Sequence, residues 1–387
     1  MPSPLTVRTV DLHLPAATWA GAGSLARAAD VARDRGARRA FVFTDAGVAG
    51  AGHLARLREV LEPVCDVGVF DACEPEPTTD AIARAAAALA TAKHADLIVS
   101  LGGGSVIDAA KCALLVACNG GVILDYEDDG STTLAAEHLL PHLAIPTTAG
   151  TGSEATLWAV FVDPQRRCKT AAGDPRLVPA AAILDPQLTI SMPPGVTAAT
   201  GMDALTHAVE AFVSVFATPL TDALAARAIG LVGAHLPRAV DNGGDLAARE
   251  AMLYASYLAG AAFSNSSVGI AHSLSEALGG LSHVPHGLAN ALLLPAVMEF
   301  NAAVVPEKMA QVGALLGVAA PGERVAAAGA VRALRRRIGL PTRLADAGVA
   351  RTDLPAAATM AFEWANDSGN PRTVTEQELL ELLEASF

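Results

Sequence analysis

The first 190 residues alternate between short apolar runs and longer stretches with helical periodicity. Apolar runs bounded by turn-forming residues predict buried β-strands, whereas apolar residues that recur every three or four positions predict helices. The runs that predict strands are residues 40–44, 64–70, 96–101, 142–145 and 180–186. The helical patterns between them fill residues 25–35, 80–93 and 106–118. Strands that alternate with helices favour a mainly parallel sheet with helices on both faces.

The pattern changes beyond Gly195. Long helical patterns run from residue 196 to the C-terminus, with few strand-like runs among them. We therefore predict two domains, an α/β domain over residues 1–190 and an all-helical domain over residues 191–387. With 387 residues, 52% of them hydrophobic, the chain is long enough for each domain to bury its own core.

An acidic residue and a histidine lie four positions apart in an apolar stretch of the helical half. On a helix, Asp203 and His207 share one face, which the apolar flanks would bury. A buried carboxylate and imidazole need a partner that offsets their lost hydration, and a divalent metal is a common one. His272, His283 and His286 follow later in the chain, and one carboxylate with up to three imidazoles would form an oxygen and nitrogen site suited to Fe(II), Zn(II) or a similar ion. The alternative is an ordinary polar pair on a helix surface.

Three glycines and a serine, residues 102–105, join the strand at residues 96–101 to the next helix. Glycines let the backbone approach a ligand closely, and a helix N-terminus attracts anions, so this turn predicts a phosphate site. The alternative, a plain strand-to-helix turn, needs one glycine rather than three. The hydroxyl-rich loop at residues 147–154 follows another strand and suits a nucleotide, although such composition is also typical of a solvated loop.

Asp45 stands at the carboxyl end of the strand at residues 40–44. Doubly wound sheets bind ligands at these strand ends. A carboxylate there would hydrogen-bond an adenosine ribose and repel the 2′-phosphate of NADP. The alternative is that Asp45 caps the following helix. Both interpretations stay open from the sequence alone.

Composition and charge limit the classes of partner. A net charge of -13 argues against nucleic acid and against anionic membrane surfaces. Five cysteines without a C-x-x-C pair are typical of reduced, cytosolic thiols. The N-terminus lacks a signal-peptide pattern, and no apolar run reaches the roughly 18 residues that a membrane span requires. We therefore expect a cytoplasmic protein.

Four longer motifs occupy residues 102–111, 146–154, 201–210 and 285–295, and the sequence Asn-Pro-Arg follows at residues 370–372. Together they resemble the iron-containing (group III) alcohol dehydrogenase family. The resemblance implies a dehydroquinate synthase-like fold, α/β plus all-α, with an N-terminal Rossmann-like, mainly parallel sheet domain and a C-terminal helical metal-binding domain. It also implies an oxidoreductase in which hydride passes directly between nicotinamide C4 and a small alcohol or aldehyde bound to Fe(II) or Zn(II) in the interdomain cleft.

The resemblance assigns roles to individual positions. The implied metal ligands are Asp203, His207, His272 and His286. The residues implied to bind NAD, with NADP less favoured, are Asp45, Gly103, Gly104, Ser105, Thr147, Thr148, Thr151, Lys169 and Leu184. The implied partner is a small-molecule alcohol or aldehyde, and the habit of the family suggests at least a homodimer.

Two positions depart from the family pattern. Many relatives carry a further histidine four residues after the third metal ligand, where this chain has Glu276. That histidine is usually assigned to the proton path, so Glu276 or His283 would act as the catalytic proton relay here, unless Glu276 is only a surface glutamate. The second departure is Glu76, which replaces a common asparagine near the cofactor and would alter cofactor affinity.

Three other functions fit these motifs less well. Glycerol dehydrogenase and dehydroquinate synthase are similar in architecture but differ around residues 201–210. A metal-dependent hydrolase would leave Asp45 and the hydroxyl-rich loop unexplained, and a non-catalytic binding protein would not need four ligands. An anionic substrate would require basic residues in the pocket, and the candidates, each more typical of a solvated surface, are Arg166, Arg167, Lys169, Arg176 and Arg372.

Overall fold

The structure, a computed structural model, describes residues 11–92, 94–128, 139–166, 168–318 and 326–387. Within these ranges the chain forms an α/β part followed by a helical part. The predicted fold class, a mainly parallel sheet domain with a helical C-terminal domain, is confirmed. No helix in the described ranges is both long and apolar enough to cross a bilayer.

A parallel sheet organises the N-terminal part. Its six strands lie in the order β1-β8-β5-β4-β2-β3, and every neighbouring pair is parallel. The strands of this sheet are β1 Thr18–Ala20, β2 Arg39–Phe43, β3 Asp66–Phe70, β4 Leu97–Gly102, β5 His142–Pro146 and β8 Ala181–Leu184. The five apolar runs that predicted strands all form strands of this sheet. The short strand β1 was not predicted, because three residues are too few to show a period.

Helices connect the strands and cover the sheet. These helices are α1 Arg27–Asp34, α2 Ala46–Gly50, α3 His53–Leu61, α4 Thr79–Thr91 and α5 Gly104–Asn119. The central strand β4 is buried along its whole length, because α3 packs against one face of the sheet and α5 against the other. A strand that is buried on both faces appears in the sequence as a continuous apolar run, and the run at residues 96–101 predicted β4 for this reason.

A two-stranded antiparallel hairpin stands beside this sheet and was not predicted. It consists of β6 Trp158–Asp163 and β7 Cys168–Gly173. Buried and half-buried residues alternate along β6. A β-carbon at Gly173 would run into the Trp158 ring, so the pairing requires glycine at that position. The turn is held by Asp163, whose carboxylate accepts hydrogen bonds from the backbone and side chain of Arg166.

The C-terminal part is helical. Its helices are α6 Pro194–Val213, α7 Pro219–Asp241, α8 Leu246–Ser264, α9 Ile270–Ser282, α10 His286–Asn301, α11 Pro306–Leu315, α12 Ala326–Arg337, α13 Leu354–Ala365 and α14 Glu376–Ser386. Helix α6 is buried from Gly201 to its end, between α7, α8 and α10. A helix that is apolar on all sides must lie inside a bundle rather than on its surface. The polar residues of α6 are therefore buried as well.

Arg249 joins α8 to the segment that leads from the sheet into α6. The side chain is only 1% exposed, and its guanidinium donates to the carbonyls of Gly243 and Met192 and to the hydroxyl of Thr197 at 2.7–3.2 Å. Burial lowers its pKa. A buried guanidinium with three oxygen partners is stabilising only while every partner is present.

Replacing Arg249 with methionine should lower the free energy of unfolding by about 2–4 kcal/mol, because the three acceptors would stay buried without a donor. The matched control is Arg238→Met, which removes an exposed ion pair with Asp245 and should cost less than about 1 kcal/mol. Urea unfolding of both metal-free variants measures the difference. Equal losses would show that Arg249 does not hold this junction.

Candidate functional site

Four side chains from three helices converge in the helical part. Asp203 and His207 come from α6, His272 from the first turn of α9, and His286 is the first residue of α10. One potential ligand atom from each lies within 4.8 Å of all the others. The three histidine nitrogens lie 3.6–4.0 Å from the carboxylate oxygens of Asp203. These are the four residues that the resemblance implied as metal ligands.

The close approach of α10 to α6 depends on one glycine. A β-carbon at Gly287 would lie 2.5 Å from the carbonyl oxygen of Ala199 and 3.2 Å from the β-carbon of Asp203. Only glycine permits this separation, because a methyl group would overlap the backbone of α6. The neighbouring His286 therefore comes within reach of Asp203.

Glu210 orients His272 and was given no role from the sequence. Its carboxylate accepts a hydrogen bond from Nδ1 of His272 at 2.5 Å and from the backbone N–H groups of Gly269 and Ala271 at 2.7–2.8 Å. A proton on Nδ1 leaves the lone pair of Nε2 directed at Asp203. Such a carboxylate behind a histidine is typical of metal centres. The spacing of Asp203, His207 and Glu210 along one helix face was the signal that could have identified it.

The atoms that converge are lone-pair acceptors, as a cation site requires. The amide nitrogen of Asn290 lies 2.8 Å from Oδ1 of Asp203, 3.1 Å from Nε2 of His272 and 3.2 Å from Nε2 of His286. One amide has two hydrogens for these three acceptors. Nδ1 of His207 is buried with no hydrogen-bond partner among the described residues. One carboxylate and three imidazoles with unused lone pairs fit a divalent metal such as Fe(II) or Zn(II).

Electrostatics prepare the same atoms for metal binding. Burial lowers the pKa of His207 to about 4 and that of His286 well below its ordinary value, so both rings are neutral. Burial by itself raises the pKa of Asp203, but the three nearby imidazoles outweigh it and the net pKa is lowered. For His272, burial lowers the pKa, and the charge and hydrogen bond of Glu210 more than reverse it. His207 and His286 thus present neutral imidazoles to the Asp203 carboxylate, whereas Glu210 favours the protonated form of His272.

One cavity of about 440 Å³ contains both the metal-ligand cluster and the glycine turn. The four candidate metal ligands line it, and so do Gly104 and Ser105 of the turn. Hairpin residues of β6 and β7 form another part of its wall. A cavity lined by a cation site and a helix N-terminus can hold a substrate oxygen near one and a phosphate near the other.

The hydroxyl-rich loop packs directly on the glycine turn. A β-carbon at Gly104 would lie 2.6 Å from the side chain of Thr151, and one at Gly103 would lie 3.1 Å from Thr148. Thr147 is buried, and its N–H donates to the carbonyl of Gly102 at 3.0 Å. Glycine at position 104 is therefore required for the loop to pack on the turn, and a side chain at Gly103 would crowd Thr148. The structure brings the three threonines to the turn, and Thr151 also lines the cavity.

Lys111 fixes this loop, and the sequence alone gave it no role. The side chain is fully buried and donates to the carbonyls of Ser153, Thr156 and Trp158, each at 2.8 Å. Burial lowers its pKa to about 8. Because Lys111 lies on α5, it ties the loop and the start of the hairpin to the helix that begins at the glycine turn.

The other residues implied to bind the cofactor lie in three places. Asp45 follows β2, and its carboxylate accepts the N–H of Val48 at 2.8 Å, so it caps α2. Leu184 ends β8 and is buried. Both stand at carboxyl ends of sheet strands, but neither lines the cavity. Lys169, on β7, does line the cavity and forms an ion pair with Glu76.

The two candidate proton relays differ in position. Glu276 is half-buried and lines the cavity, one turn along α9 from His272. Burial raises the pKa of Glu276. His283 caps the C-terminus of α9 in the left-handed region with φ 54°, is exposed, and does not line the cavity. The geometry thus favours Glu276 as the proton relay and places His283 outside the wall of the cavity.

Comparison with known proteins identifies close relatives. Residues 15–186 match the family model described as iron-containing alcohol dehydrogenase, and residues 197–387 match that of the Fe-containing alcohol dehydrogenase family, C-terminal. The chain is 39% identical to the NAD-dependent methanol dehydrogenase of Bacillus methanolicus, over 97% of this chain and 99% of that protein. It is 38% identical to the 1,3-propanediol dehydrogenase of Citrobacter freundii, over 99% and 100%. The solved structure of a 1,3-propanediol oxidoreductase superposes with a TM-score of 0.93 at 37% identity, over 98% of this chain and 100% of that one.

Replacing Glu210 with glutamine should weaken metal binding by about 10–100-fold, because a neutral amide orients the His272 ring less firmly and makes it a less basic ligand than a carboxylate does. Competition with a chelator at fixed Fe(II) or Zn(II) measures the dissociation constant without any substrate. Glu299→Gln, which alters an exposed ion pair with Arg332, is the matched control and should bind metal as the wild type does. If Glu210→Gln kept wild-type affinity, the carboxylate would have no role in orienting a ligand.

Proposed function

The chain belongs to the iron-containing alcohol dehydrogenase family, and from this premise we propose that it is an NAD-linked, metal-dependent dehydrogenase that interconverts small alcohols and aldehydes. One observation carries the proposal. Four potential ligand atoms within 4.8 Å of one another, three of them on buried side chains, share a single cavity with the glycine turn at the start of α5. This arrangement suits a reaction that needs a cation beside the substrate oxygen and a dinucleotide beside the substrate carbon.

The metal ligands in this proposal are Asp203, His207, His272 and His286. When bound, Fe(II), or Zn(II) as the alternative, supplies Lewis-acid chemistry that polarises a carbon–oxygen bond. Around it, Phe263 stacks on the His207 ring with 4.3 Å between ring centroids and lines the same cavity. The phenyl ring limits the access of water on that side and holds the imidazole in one orientation.

The cofactor site in this proposal begins at the glycine turn. Gly103, Gly104 and Ser105 would hold the pyrophosphate at the N-terminus of α5, with Thr147, Thr148 and Thr151 beside them. NAD supplies the hydride acceptor for the alcohol, or the hydride donor for the aldehyde. The name of the Bacillus methanolicus relative, an NAD-dependent enzyme at 39% identity, supports NAD as the cofactor.

Glu276 is the proposed proton relay. Its carboxyl lines the cavity near His272 and Lys169, whose charges lower its pKa, although burial raises the pKa more. A carboxyl that accepts and returns a proton more readily than an exposed glutamate suits general acid–base work. It would take the substrate's hydroxyl proton during oxidation and return one during reduction.

The proposal predicts that the metal-loaded protein reduces NAD⁺ with a small primary alcohol such as n-butanol, measured at the nicotinamide absorbance band. Removal of the metal by a chelator should abolish the rate, and added Fe(II) or Zn(II) should restore it. His272→Ala should lose both metal retention and activity, because one of its four ligands is absent. Turnover of a p-nitrophenyl ester without any nicotinamide turnover would instead support a hydrolase.

The proposed role of Asp45 can be separated from its role as a helix cap. Asp45→Asn keeps an acceptor for the Val48 N–H but removes the charge, whereas Asp45→Gly removes both. If the charge repels a 2′-phosphate, both variants should raise the NADP⁺-to-NAD⁺ ratio of kcat/KM by about tenfold or more. An unchanged ratio in Asp45→Asn, or a wild type that prefers NADP⁺, would refute this role.

A further inference from the structure

The charged side chains around the cavity are almost all acidic. Among the described residues that line it, Lys169 is the one lysine, and no arginine takes part. Three histidines line it as well, and these are the candidate metal ligands. Six acidic residues face the same space, namely Glu76, Asp108, Asp128, Asp203, Glu276 and Asp367.

The one lysine of this wall is already paired with a neighbouring carboxylate. Lys169 is 7% exposed, and its ammonium forms an ion pair with the carboxylate of Glu76. Glu76 is fixed in turn, because its N–H donates to the hydroxyl of Ser105 at 3.1 Å and its backbone lies in the left-handed region with φ 51°. An anionic substrate would have to break this pair to gain a cation.

The arginines considered as pocket cations lie elsewhere. Arg166 is paired with Glu127 and Asp163 at 2.6–2.9 Å. Arg372 stacks on Phe300 and binds Glu378, and Arg176 binds Asp174. None of these three arginines lines the cavity. Arg167 lies outside the described residues.

Two of the acids that line the cavity form no ion pair with any of the described residues. Glu276 shares α9 with His272, and Asp367 is exposed in the turn that ends α13. The N–H of Asp367 donates to the carbonyl of Trp364 at 3.2 Å, so the acid and the indole belong to one turn. Both line the cavity together with Val268, which accepts the N–H of Gly369 at 2.7 Å just before α9 begins.

An aromatic and acidic wall of this kind favours a cation. Trp158, Phe161, Phe263 and Trp364 line the cavity, and indole rings attract ammonium groups through their negative faces. A carboxylate beside the ring adds direct charge attraction, whereas a substrate carboxylate would meet like charges. The same wall accepts a neutral alkyl tail through apolar contact.

Resting on the proposed function, we propose that the substrates are primary alcohols and aldehydes with a cationic tail, such as amino alcohols, and that anionic substrates are rejected. Trp364 and Asp367 bind the ammonium, and the Glu76–Lys169 pair withholds the one cation that an anionic tail would use. The chemistry balances as an ordinary oxidation. The carbinol carbon gives hydride to NAD⁺, the hydroxyl proton passes to Glu276 and from there to solvent, and the amino aldehyde remains.

Three alcohols with the same three-carbon spacing test the proposal at saturating NAD⁺: n-butanol, propanolamine and γ-hydroxybutyrate. The kcat/KM for propanolamine should exceed that for n-butanol, and the kcat/KM for γ-hydroxybutyrate should fall about a hundredfold below that for n-butanol.

Glu76→Gln should raise the γ-hydroxybutyrate-to-butanol ratio of kcat/KM about tenfold, because Lys169 is released from its ion pair. Asp367→Asn should lower the propanolamine-to-butanol ratio, and the control Asp346→Asn, a surface acid paired with Arg343, should leave it unchanged.

A binding measurement separates this inference from the proposed reaction. Trp158 and Trp364 line the cavity, so tryptophan fluorescence reports n-butylammonium and butyrate binding to metal-loaded protein without turnover. Tighter binding of n-butylammonium than of butyrate, with the difference lost in Asp367→Asn, would support the inference. This holds even if the protein oxidises no alcohol, because the absence of alcohol oxidation would refute only the proposed function. Equal or tighter binding of butyrate, or efficient oxidation of γ-hydroxybutyrate by the wild type, would overturn the inference.

Discussion

The structure depends on a carboxylate and three imidazoles that converge inside the helical part, where three of the four side chains are buried. Asp203 and His207 lie on a helix that is enclosed on all sides, so their burial has to be offset by contacts within the protein or by a bound cation. Glu210 and Asn290 complete the hydrogen bonds at the back of the cluster. The packing of the helical bundle therefore also determines the geometry of the candidate metal ligands.

Close backbone approach has a similar role at both ends of the cavity. Gly287 lets α10 reach α6 at the metal end, and Gly104 lets the hydroxyl-rich loop reach the N-terminus of α5 at the other. Lys111 then holds that loop through three carbonyls. Both ends of the cavity are therefore shaped by a glycine at which a β-carbon would collide with the facing segment.

The electrostatic character of the cavity follows from pairs formed far apart in the sequence. Glu76 comes from the segment before α4 and Lys169 from the hairpin, and their ion pair removes the one lysine of the described wall from use. The remaining acids and the rings of Trp158 and Trp364 line the same space. In the proposed complex, the metal, the cofactor and the substrate tail therefore occupy separate parts of one wall.

Local pattern and spacing in the sequence determined five strands of the sheet, the helical half and the Asp203–His207 pair, because burial on both faces and a spacing of four residues are visible in a single sequence. The resemblance added the set of four candidate ligands and the family, and the comparisons confirm the family. Only the tertiary structure showed the hairpin, the orienting role of Glu210, and the exposure of His283 in contrast to Glu276. These features depend on contacts between residues that are far apart in the chain, and a single sequence does not show which distant residues are in contact.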